Sequence, residues 1–547
     1  MTVISRFHLG EFQIKVEKRL EEWEKTGFTG RLRAKDYTLW ADRPEEISDR
    51  LGWLDLPKRM PEKLGQIESF AEEIRIEGFT HVLLFGMGGS SLAPEFFQKT
   101  FGNRPGYPEL LVLDSTHPAA VAAAEKAVDL DRTLFIVSSK SGTTLETLSF
   151  HRYFWDRAGR LTGDPGRRFA VITDPGTPLA ALAAEKRFRG LFEADPNVGG
   201  RYSALTEFGL VPAAVIGMDI QRLLDAAREE AETTLQVNPV DVAAGYLLGA
   251  ALGEIAATRD KLTLLTSKSL RHFPDWLEQL IAESTGKDGR GIVPVADEPL
   301  LRPEDYGADR VFAGISLEQD GDRDLESRLD ALERLGHPVI RTTLNDLYAL
   351  GWEIFRWEIA VAAAGSIMGL HPFNQPDVEL AKSMARSFME GGGVGRPEGD
   401  ENSVPAGDPE HLKTALEGWV SQAGTGDYIA VQAYLPPAPE IDRRLRDIRA
   451  ALLEKIKLAT TFGYGPRFLH STGQLHKGGP NTGLFLQLVD EPGTDLSVPE
   501  TDYSFGTIVR AQALGDYLAL RKTDRRVLRI DLKSDIESGL DRILAAL

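Results

Sequence analysis

The stretch HVLLFGMGGSS, residues 81–91, decides the fold prediction, because an apolar run passes directly into a turn rich in glycine and serine. A second stretch of the same design, TLFIVSSKSGTT, occupies residues 133–144, and each stretch leads into a helical pattern. A strand, a turn and a helix in this order direct backbone N–H groups and a helix N-terminus at one bound anion. Hydroxyl groups in the two turns would add hydrogen-bond donors for a phosphate monoester. They belong to Ser90, Ser91, Ser139, Ser141 and Thr144.

Composition limits the classes of function. The 547 residues exceed what one hydrophobic core holds, so two or three domains are expected. The net charge of −19 argues against a nucleic-acid partner, which needs a basic surface. The chain has no cysteine, which excludes disulfides, thiolate metal sites and cysteine nucleophiles and fits a reducing cytoplasm.

Neither a signal peptide nor a membrane span is predicted. The N-terminus MTVISRFHLGEF lacks the apolar core that a signal peptide needs. The most apolar stretches, residues 242–257 and 359–370, are shorter than a membrane-spanning helix, and we predict that they are buried internal helices. The sequence therefore predicts a soluble cytoplasmic protein with no membrane partner.

The order of apolar runs and helical patterns predicts an α/β protein. After a helical and irregular segment (residues 1–60), strands and helices alternate through a first domain (61–240) and a second domain (241–389). A stretch rich in glycine, proline and acidic residues (390–409) predicts a flexible loop, and residues 410–547 form a further α/β segment. Short buried strands separated by helices indicate doubly wound parallel sheets, in which ligands bind beyond the carboxyl ends of the strands.

Two segments carry candidate charged groups for chemistry. In DPNVGGRYS, Arg201 follows a Gly-Gly turn, where the backbone can approach a ligand closely and the guanidinium supplies fixed positive charge. The alternative is an ordinary tight turn with a solvated arginine. In AESTGK, Glu283 follows an apolar helical run, so burial would raise its pKa and make it a usable general base. The alternative is a solvated glutamate near a helix end.

Two further segments are candidates near the C-terminal side. HPFNQPDVELAK opens a helix that carries Lys382, although a lysine on a helix is most often a solvated surface charge. The segment FLHSTGQLHKGGPN combines glycines with His470 and His476. The spacing of the two histidines is not a helical metal-binding spacing, and the segment holds no carboxylate, so a proton-transfer role is favoured over a metal site. No metal or other cofactor is expected.

These segments together resemble one family. GMGGSSLAP and SSKSGTTLET are similar to the phosphosugar loops of the sugar isomerase (SIS) fold. VGGRYS, ESTGK and PFNQPDVELAK are more specific and resemble the phosphoglucose isomerase family, over residues 64–488. The resemblance implies two SIS-type doubly wound domains, a small phosphosugar as the ligand, and a homodimer as is common in the family.

The resemblance also implies roles for individual residues. Glu283 matches the base that moves a proton between C2 and C1 of the sugar, and Arg201 matches the arginine that stabilises the enediolate. Lys382 matches the lysine that assists ring opening together with a histidine. In the family that histidine precedes the lysine, whereas here the best candidate, His470, follows it, with His476 as the alternative. The residues matching phosphate and sugar contacts are Gly89, Ser90, Ser91, Ser139, Lys140, Ser141, Thr143, Thr144, Gly200 and Gln375.

The resemblance leaves several functions open. The first is interconversion of glucose 6-phosphate and fructose 6-phosphate. A dual phosphoglucose/phosphomannose isomerase is the second, and a non-catalytic SIS-type regulator that binds a phosphosugar is the third. Two segments, DYTLWADRPEEISDRLGWL and GYGPRFLHSTGQLHKGGPNTGLFLQL, also resemble the isomerase half of bacterial transaldolase–phosphoglucose isomerase fusions. A transaldolase barrel needs about 250 residues. The segment that precedes the first predicted domain is residues 1–60, which is too short for such a barrel, so no transaldolase activity is expected.

Overall fold

A computed structural model describes residues 3–236, 243–378, 383 and 403–547 of the chain. Within these residues the chain forms three five-stranded sheets. The strands are β1 (Val3–His8), β2 (His81–Phe85), β3 (Glu109–Leu113), β4 (Thr133–Ser138), β5 (Phe169–Thr173), β6 (Gly190–Glu193), β7 (Lys261–Thr266), β8 (Val293–Val295), β9 (Arg310–Leu317), β10 (Val339–Leu344), β11 (Val404–Pro405), β12 (Tyr428–Tyr434), β13 (Ala459–Tyr464), β14 (Gly483–Val489) and β15 (Arg526–Asp531).

Helices connect the strands and cover the sheets. The longer helices are Gln13–Thr26, Leu64–Ile76, Leu92–Phe101, Pro118–Ala127, Leu145–Gly159, Pro178–Glu185, Glu207–Val215, Ile220–Gln236, Ala244–Ala256, Phe273–Thr285, Arg323–Arg334, Leu350–Met368, Pro409–Val420, Pro439–Ile456, Phe505–Lys522 and Ile536–Ala546. Shorter helices span Phe28–Arg33, Leu56–Arg59 and Gly473–Gly478. The predicted α/β class with doubly wound parallel sheets is confirmed.

The three sheets share one order of four strands, and the fifth strand, at one edge, differs between them. The first sheet runs β3-β2-β4-β5-β6, and the second runs β8-β7-β9-β10-β1. The third runs β13-β12-β14-β15-β11. If the edge strands β6, β1 and β11 are left aside, the first two strands of each sheet along the chain are neighbours, and the third strand pairs with the other edge of the first. This order creates a crevice between the first and third strands, where doubly wound proteins bind ligands. The segment after residue 410 is thus a third doubly wound sheet rather than only an additional α/β segment.

The ends of the chain differ in detail from the sequence prediction. The segment 1–60 contains β1, which pairs antiparallel with β10 at the edge of the second sheet. The sequence pattern of residues 440–461 predicts one helix. In the structure this helix ends at Ile456, because Lys457 adopts a left-handed conformation with φ of 58°, and β13 follows. Most of the predicted loop 390–409 lies outside the described residues. The domain boundaries stay a prediction.

The first and second sheets share one hydrophobic core. Its centre is the helix pair Ala244–Ala256 and Leu350–Met368, whose surfaces are lined by alanine and glycine. A Cβ atom on Gly249 would lie 2.7 Å from the Cβ of Ala363, so small residues allow the two helices to pack closely. In the part of the chain that the structure describes, no helix combines the length and the hydropathy needed to cross a membrane.

A buried polar cluster joins the second sheet to the third. The Glu298 carboxylate pairs with Arg310 at 2.9 Å and accepts a hydrogen bond from the backbone N–H of Thr460 at 2.7 Å. Arg449 donates to the carbonyls of Ala296 and Asp297 from the other side. Because both charges of the Glu298–Arg310 pair are removed from water, neither can lose its partner without a large desolvation cost.

Glu298→Gln should lower the free energy of unfolding by about 3–5 kcal/mol, because the buried Arg310 guanidinium then lacks a compensating charge. Denaturant unfolding followed by circular dichroism measures the change. Glu440→Gln is the matched control, since Glu440 and its partner Arg443 are both exposed, and it should cost less than about 1 kcal/mol. Equal losses in the two variants would show that the buried pair does not hold the sheets together.

Candidate functional site

The first of the two hydroxyl-rich loops follows β2 at the carboxyl edge of the first sheet. Residues 88–90 form a 3₁₀ turn before the helix Leu92–Phe101. The hydroxyl of Ser91 is buried and hydrogen-bonds to the carbonyl of Gly88 at 3.2 Å and to Asp114 at 3.4 Å. Ser90 is also buried in the turn, and no described residue hydrogen-bonds to its hydroxyl. Ser91 therefore supports the loop, and Ser90 is the hydroxyl left for a ligand.

The second loop follows β4, directly across the crevice of the same sheet. The hydroxyls of Ser139 and Thr144 lie 2.9 Å apart, and Thr144 directly precedes the helix Leu145–Gly159. Ser141 and Thr143 are exposed, with their hydroxyl oxygens 3.0 Å apart. Lys140 pairs with Asp174 and donates to the carbonyl of Pro196 at 3.0 Å. The loop thus presents hydroxyl groups beside a helix N-terminus, as an anion site requires.

The segment carrying Arg201 packs directly on the first loop. A Cβ atom on Gly89 would lie 2.0 Å from the carbonyl oxygen of Gly200, so only glycine permits this contact. The Arg201 side chain is buried, and its Nε donates to Ser284 Oγ at 2.9 Å. Its Nη2 donates to the carbonyls of Pro372 and Asn374. The guanidinium is therefore held rigidly beside the crevice.

Glu283 lies opposite Arg201, near the end of the helix Phe273–Thr285. Its carboxylate is buried, and Oε1 is 3.4 Å from Arg201 Nη1. Gln279, one helical turn earlier, donates through Nε2 to Glu283 Oε2 at 3.1 Å and to the carbonyl of His470 at 2.8 Å. Gln279 thus connects the carboxylate to the histidine segment. Sequence analysis missed this residue, although its position four residues before Glu283 placed it on the same helix face.

A turn at residues 371–374 closes the site near Arg201. Lys287 is buried and donates through Nζ to the carbonyl of His371 at 2.5 Å. Burial and the neighbouring Arg201 charge lower the pKa of Lys287 well below its usual range. Gln375 is exposed just beyond this turn. Lys382 lies outside the described residues, so its predicted role stays a prediction.

His470 reaches the site from the third sheet. It ends the segment that follows β13, and its ring Nε2 lies 3.0 Å from Glu146 Oε1. A carboxylate only accepts hydrogen bonds, so Nε2 carries the proton and Nδ1 is the ring atom left to exchange a proton with a ligand. None of the residues that the structure describes hydrogen-bonds to Nδ1. Glu146 is a second residue that sequence analysis missed, although it lies in the first turn after the second loop.

The alternative histidine, His476, lies away from the crevice. Its ring is buried between Phe468 and Phe485, and Nδ1 is 3.2 Å from the side-chain amide of Gln432. Burial, together with the charges of Lys477 and Arg525, lowers the pKa of His476 well below its usual range. A neutral histidine in the core of the third sheet cannot contact a ligand in the first. The geometry therefore favours His470.

In the second sheet, an aspartate carboxylate occupies the crevice between the first and third strands. The turn after β7 contains Ser267 and Ser269, and the turn after β9 contains Asp320. The Asp320 carboxylate accepts hydrogen bonds from both serine hydroxyls at 2.6 Å and from the backbone N–H of Ser269 at 2.9 Å. Burial raises the pKa of Asp320, but these hydrogen bonds outweigh it and lower the pKa below its usual range. In the first sheet the corresponding turn after β4 carries serine, lysine and threonine in place of this carboxylate.

Comparisons with known proteins show the family of this chain. The sequence profile of the family described as phosphoglucose isomerase matches residues 56–292. A glucose-6-phosphate isomerase from Rubrobacter xylanophilus is 28% identical over 434 residues, covering 70% of this chain and 96% of that protein. A probable glucose-6-phosphate isomerase from Natronomonas pharaonis is 31% identical over 350 residues, covering 57% of this chain and 79% of that protein.

Solved structures share the fold. The crystal structure of a hypothetical protein from Thermus thermophilus superposes with a TM-score of 0.62 at 26% identity, covering 71% of this chain and 100% of that chain. A glucose-6-phosphate isomerase from Chlamydia trachomatis gives a TM-score of 0.61 at 17% identity, covering 72% and 89% of the two chains. The strand order and the hydroxyl-rich loops thus define a SIS-type α/β protein, as predicted. The chain belongs to the phosphoglucose isomerase family and is an isomerase.

Gly89→Ala should lower the free energy of unfolding by about 1–3 kcal/mol, because the added methyl group collides with the Gly200 carbonyl. It should also lower kcat/KM, since the first loop must move away from Arg201. Gly200→Ala is the matched control for stability: a Cβ on Gly200 meets nothing within 4 Å, so its change should stay within about 0.5 kcal/mol. Equal stability of the two variants would refute the close contact.

Proposed function

We propose that the protein interconverts glucose 6-phosphate and fructose 6-phosphate through a cis-enediolate. One observation carries the proposal: Arg201, Glu283 and His470 meet at the carboxyl edge of the sheet that bears both hydroxyl-rich loops. A phosphosugar-binding regulator would need the loops, but it would not need a buried carboxylate beside a fixed arginine and a histidine. Membership in an isomerase family supports the same choice.

Glu283 is the proposed base of the isomerisation. Its carboxylate removes the proton from C2 of the open-chain aldose and returns it to C1, while the O1 carbonyl becomes a hydroxyl and the O2 hydroxyl becomes a carbonyl. The negative charge that develops on the enediolate oxygens is stabilised by Arg201, which lies 3.4 Å from Glu283, is fixed by its hydrogen bonds and needs no reorganisation. One carboxylate on one face of the enediolate can serve both carbons.

His470 is the proposed group for ring opening. A pyranose opens when the hydroxyl at C1 loses its proton and the ring oxygen gains one. Nδ1 of His470 is the available ring nitrogen for one of these transfers, and Glu146 holds the ring in the tautomer that leaves Nδ1 unprotonated. The family resemblance assigns the partner role to Lys382. Ser139, Ser141, Thr143 and Thr144 are the proposed contacts of the phosphate, and Ser90 is proposed to face the sugar.

Further expectations depend on the same proposal. Binding of the phosphate far from C1 and C2 anchors the sugar, so that binding energy is used for positioning. A homodimer stays a prediction from the family. We also propose a cytoplasmic location. A dual specificity for mannose 6-phosphate stays an alternative, because the epimers differ only in the configuration at C2.

A coupled assay tests the reaction and the base together. The purified protein should convert fructose 6-phosphate to glucose 6-phosphate, and comparison with mannose 6-phosphate decides between single and dual specificity. Glu283→Gln should lower kcat by a factor of about 10²–10⁴, the usual contribution of a general base. Binding of 6-phosphogluconate, an open-chain phosphorylated acid, should be retained in calorimetry. Near-normal turnover in this variant would exclude Glu283 as the base.

Exchange between the α and β anomers of glucose 6-phosphate tests the histidine. Ring opening and closure interconvert the anomers without proton transfer at C2, so the Glu283→Gln variant should still catalyse the exchange, which NMR exchange spectroscopy measures. Adding His470→Ala should lower the catalysed exchange by about 10²-fold. Adding His476→Ala instead should leave the exchange largely intact. The opposite pattern would move the role to His476.

A further inference from the structure

Three polar contacts, two of them buried and one partly buried, join the third sheet to the first sheet beside the site. Arg467 pairs with Asp114 at 2.8 Å and with Glu95. The second contact is between His117 Nε2 and Asp490, at 3.1 Å. The third is the hydrogen bond from Gln512, on the helix Phe505–Lys522, to the Glu146 carboxylate. The same carboxylate is hydrogen-bonded to His470. The first two contacts position the two sheets, whereas the third ends on the proposed ring-opening group.

The side-chain amide of Gln512 is held at both ends. Its Oε1 accepts a hydrogen bond from Thr116 Oγ1 at 2.7 Å, and its Nε2 donates to Glu146 Oε1 at 2.7 Å. Thr116, Glu146 and Gln512 are all buried. The same carboxylate oxygen also receives the hydrogen bond from His470 Nε2 at 3.0 Å. Hydrogen bonds therefore link four side chains in the order Thr116, Gln512, Glu146 and His470.

This arrangement allows only one orientation of the amide. If the amide were reversed, its oxygen would face the Glu146 carboxylate, and two acceptors would meet without a proton between them. Donation from Nε2 also holds the Glu146 carboxylate in place, where it accepts the hydrogen bond from Nε2 of His470. Nδ1 consequently stays the proton-exchanging atom.

We infer that Gln512 is a positioning residue for the His470–Glu146 pair, so that the third sheet supplies both the histidine and the group that orients it. The inference rests on the proposed function, since it concerns the ring-opening step. The chain beyond residue 490 then contributes one residue, Gln512, to the support of the site. Gln512 does not contact the reacting atoms, and its effect passes through Glu146.

Gln512→Met tests this inference, because methionine fills a similar volume and cannot donate to Glu146. In the Glu283→Gln background, Gln512→Met should lower the rate of catalysed anomer exchange roughly tenfold. This loss is smaller than the loss of an acid–base group itself, because Gln512 only positions the pair. The affinity for 6-phosphogluconate and the midpoint of thermal unfolding should stay close to those of the background protein. Gln422→Met, an exposed position on the same sheet unit, is the matched control and should change none of the three.

Thr116→Val gives a second, independent variant. Removing the Thr116 hydroxyl frees the amide of Gln512 to turn, so anomer exchange should fall in this variant as well. Because both residues act through one hydrogen-bond chain, the double variant should lose no more than Gln512→Met alone. Unchanged exchange in Gln512→Met, with the wild-type protein active as an isomerase, would overturn the inference. Absence of isomerase activity in the wild-type protein would instead overturn the proposed function.

Discussion

The ion pairs of the partly buried Arg467 guanidinium are the interaction that places His470 at the site. The guanidinium lies between Asp114, just beyond β3 of the first sheet, and Glu95, on the first helix of the same sheet. Burial raises the pKa of Glu95, but the charges of Arg467 and Lys99 outweigh it and lower the pKa to about 2. Moving Arg467 away would leave the partly buried carboxylates of Glu95 and Asp114 without this partner charge, which is unfavourable. His470 lies three residues further along, so its place at the crevice follows from this pairing.

One strand order serves three different purposes in this chain. The crevice of the first sheet carries hydroxyl groups and a lysine, which suit a phosphate. The crevice of the second sheet is filled by the Asp320 carboxylate, which receives the hydrogen bonds that an external anion would otherwise receive. The third sheet directs the segment after β13 into the crevice of the first. The chemistry of a doubly wound sheet therefore depends on the turns that follow its strands, and the strand order only provides their place.

Local sequence predicted much of the first sheet and part of the site. Apolar runs bounded by glycine and serine located β2 and β4 to within one residue, because buried parallel strands are continuously apolar. Strand β13 was missed because its sequence continues a helical pattern, and the helix ends only where Lys457 takes a left-handed conformation. Glu146 and Gln279 carried no distinctive local signal beyond their spacing from known segments. Gln512 carried none, since it lies within an otherwise ordinary helix.

Patterns within short segments predicted the fold class, the two hydroxyl-rich loops and the charged candidate residues, because each of these depends on residues close together in the chain. The tertiary structure favours His470 over His476 as the histidine beside these loops, although the two lie six residues apart in one glycine-rich segment. One ring is enclosed by Phe468 and Phe485, and the other meets Glu146 across the interface of two sheets. Glu146 and His470 are 324 residues apart along the chain, so no local pattern encodes their contact. Packing of the third sheet against the first brings them together.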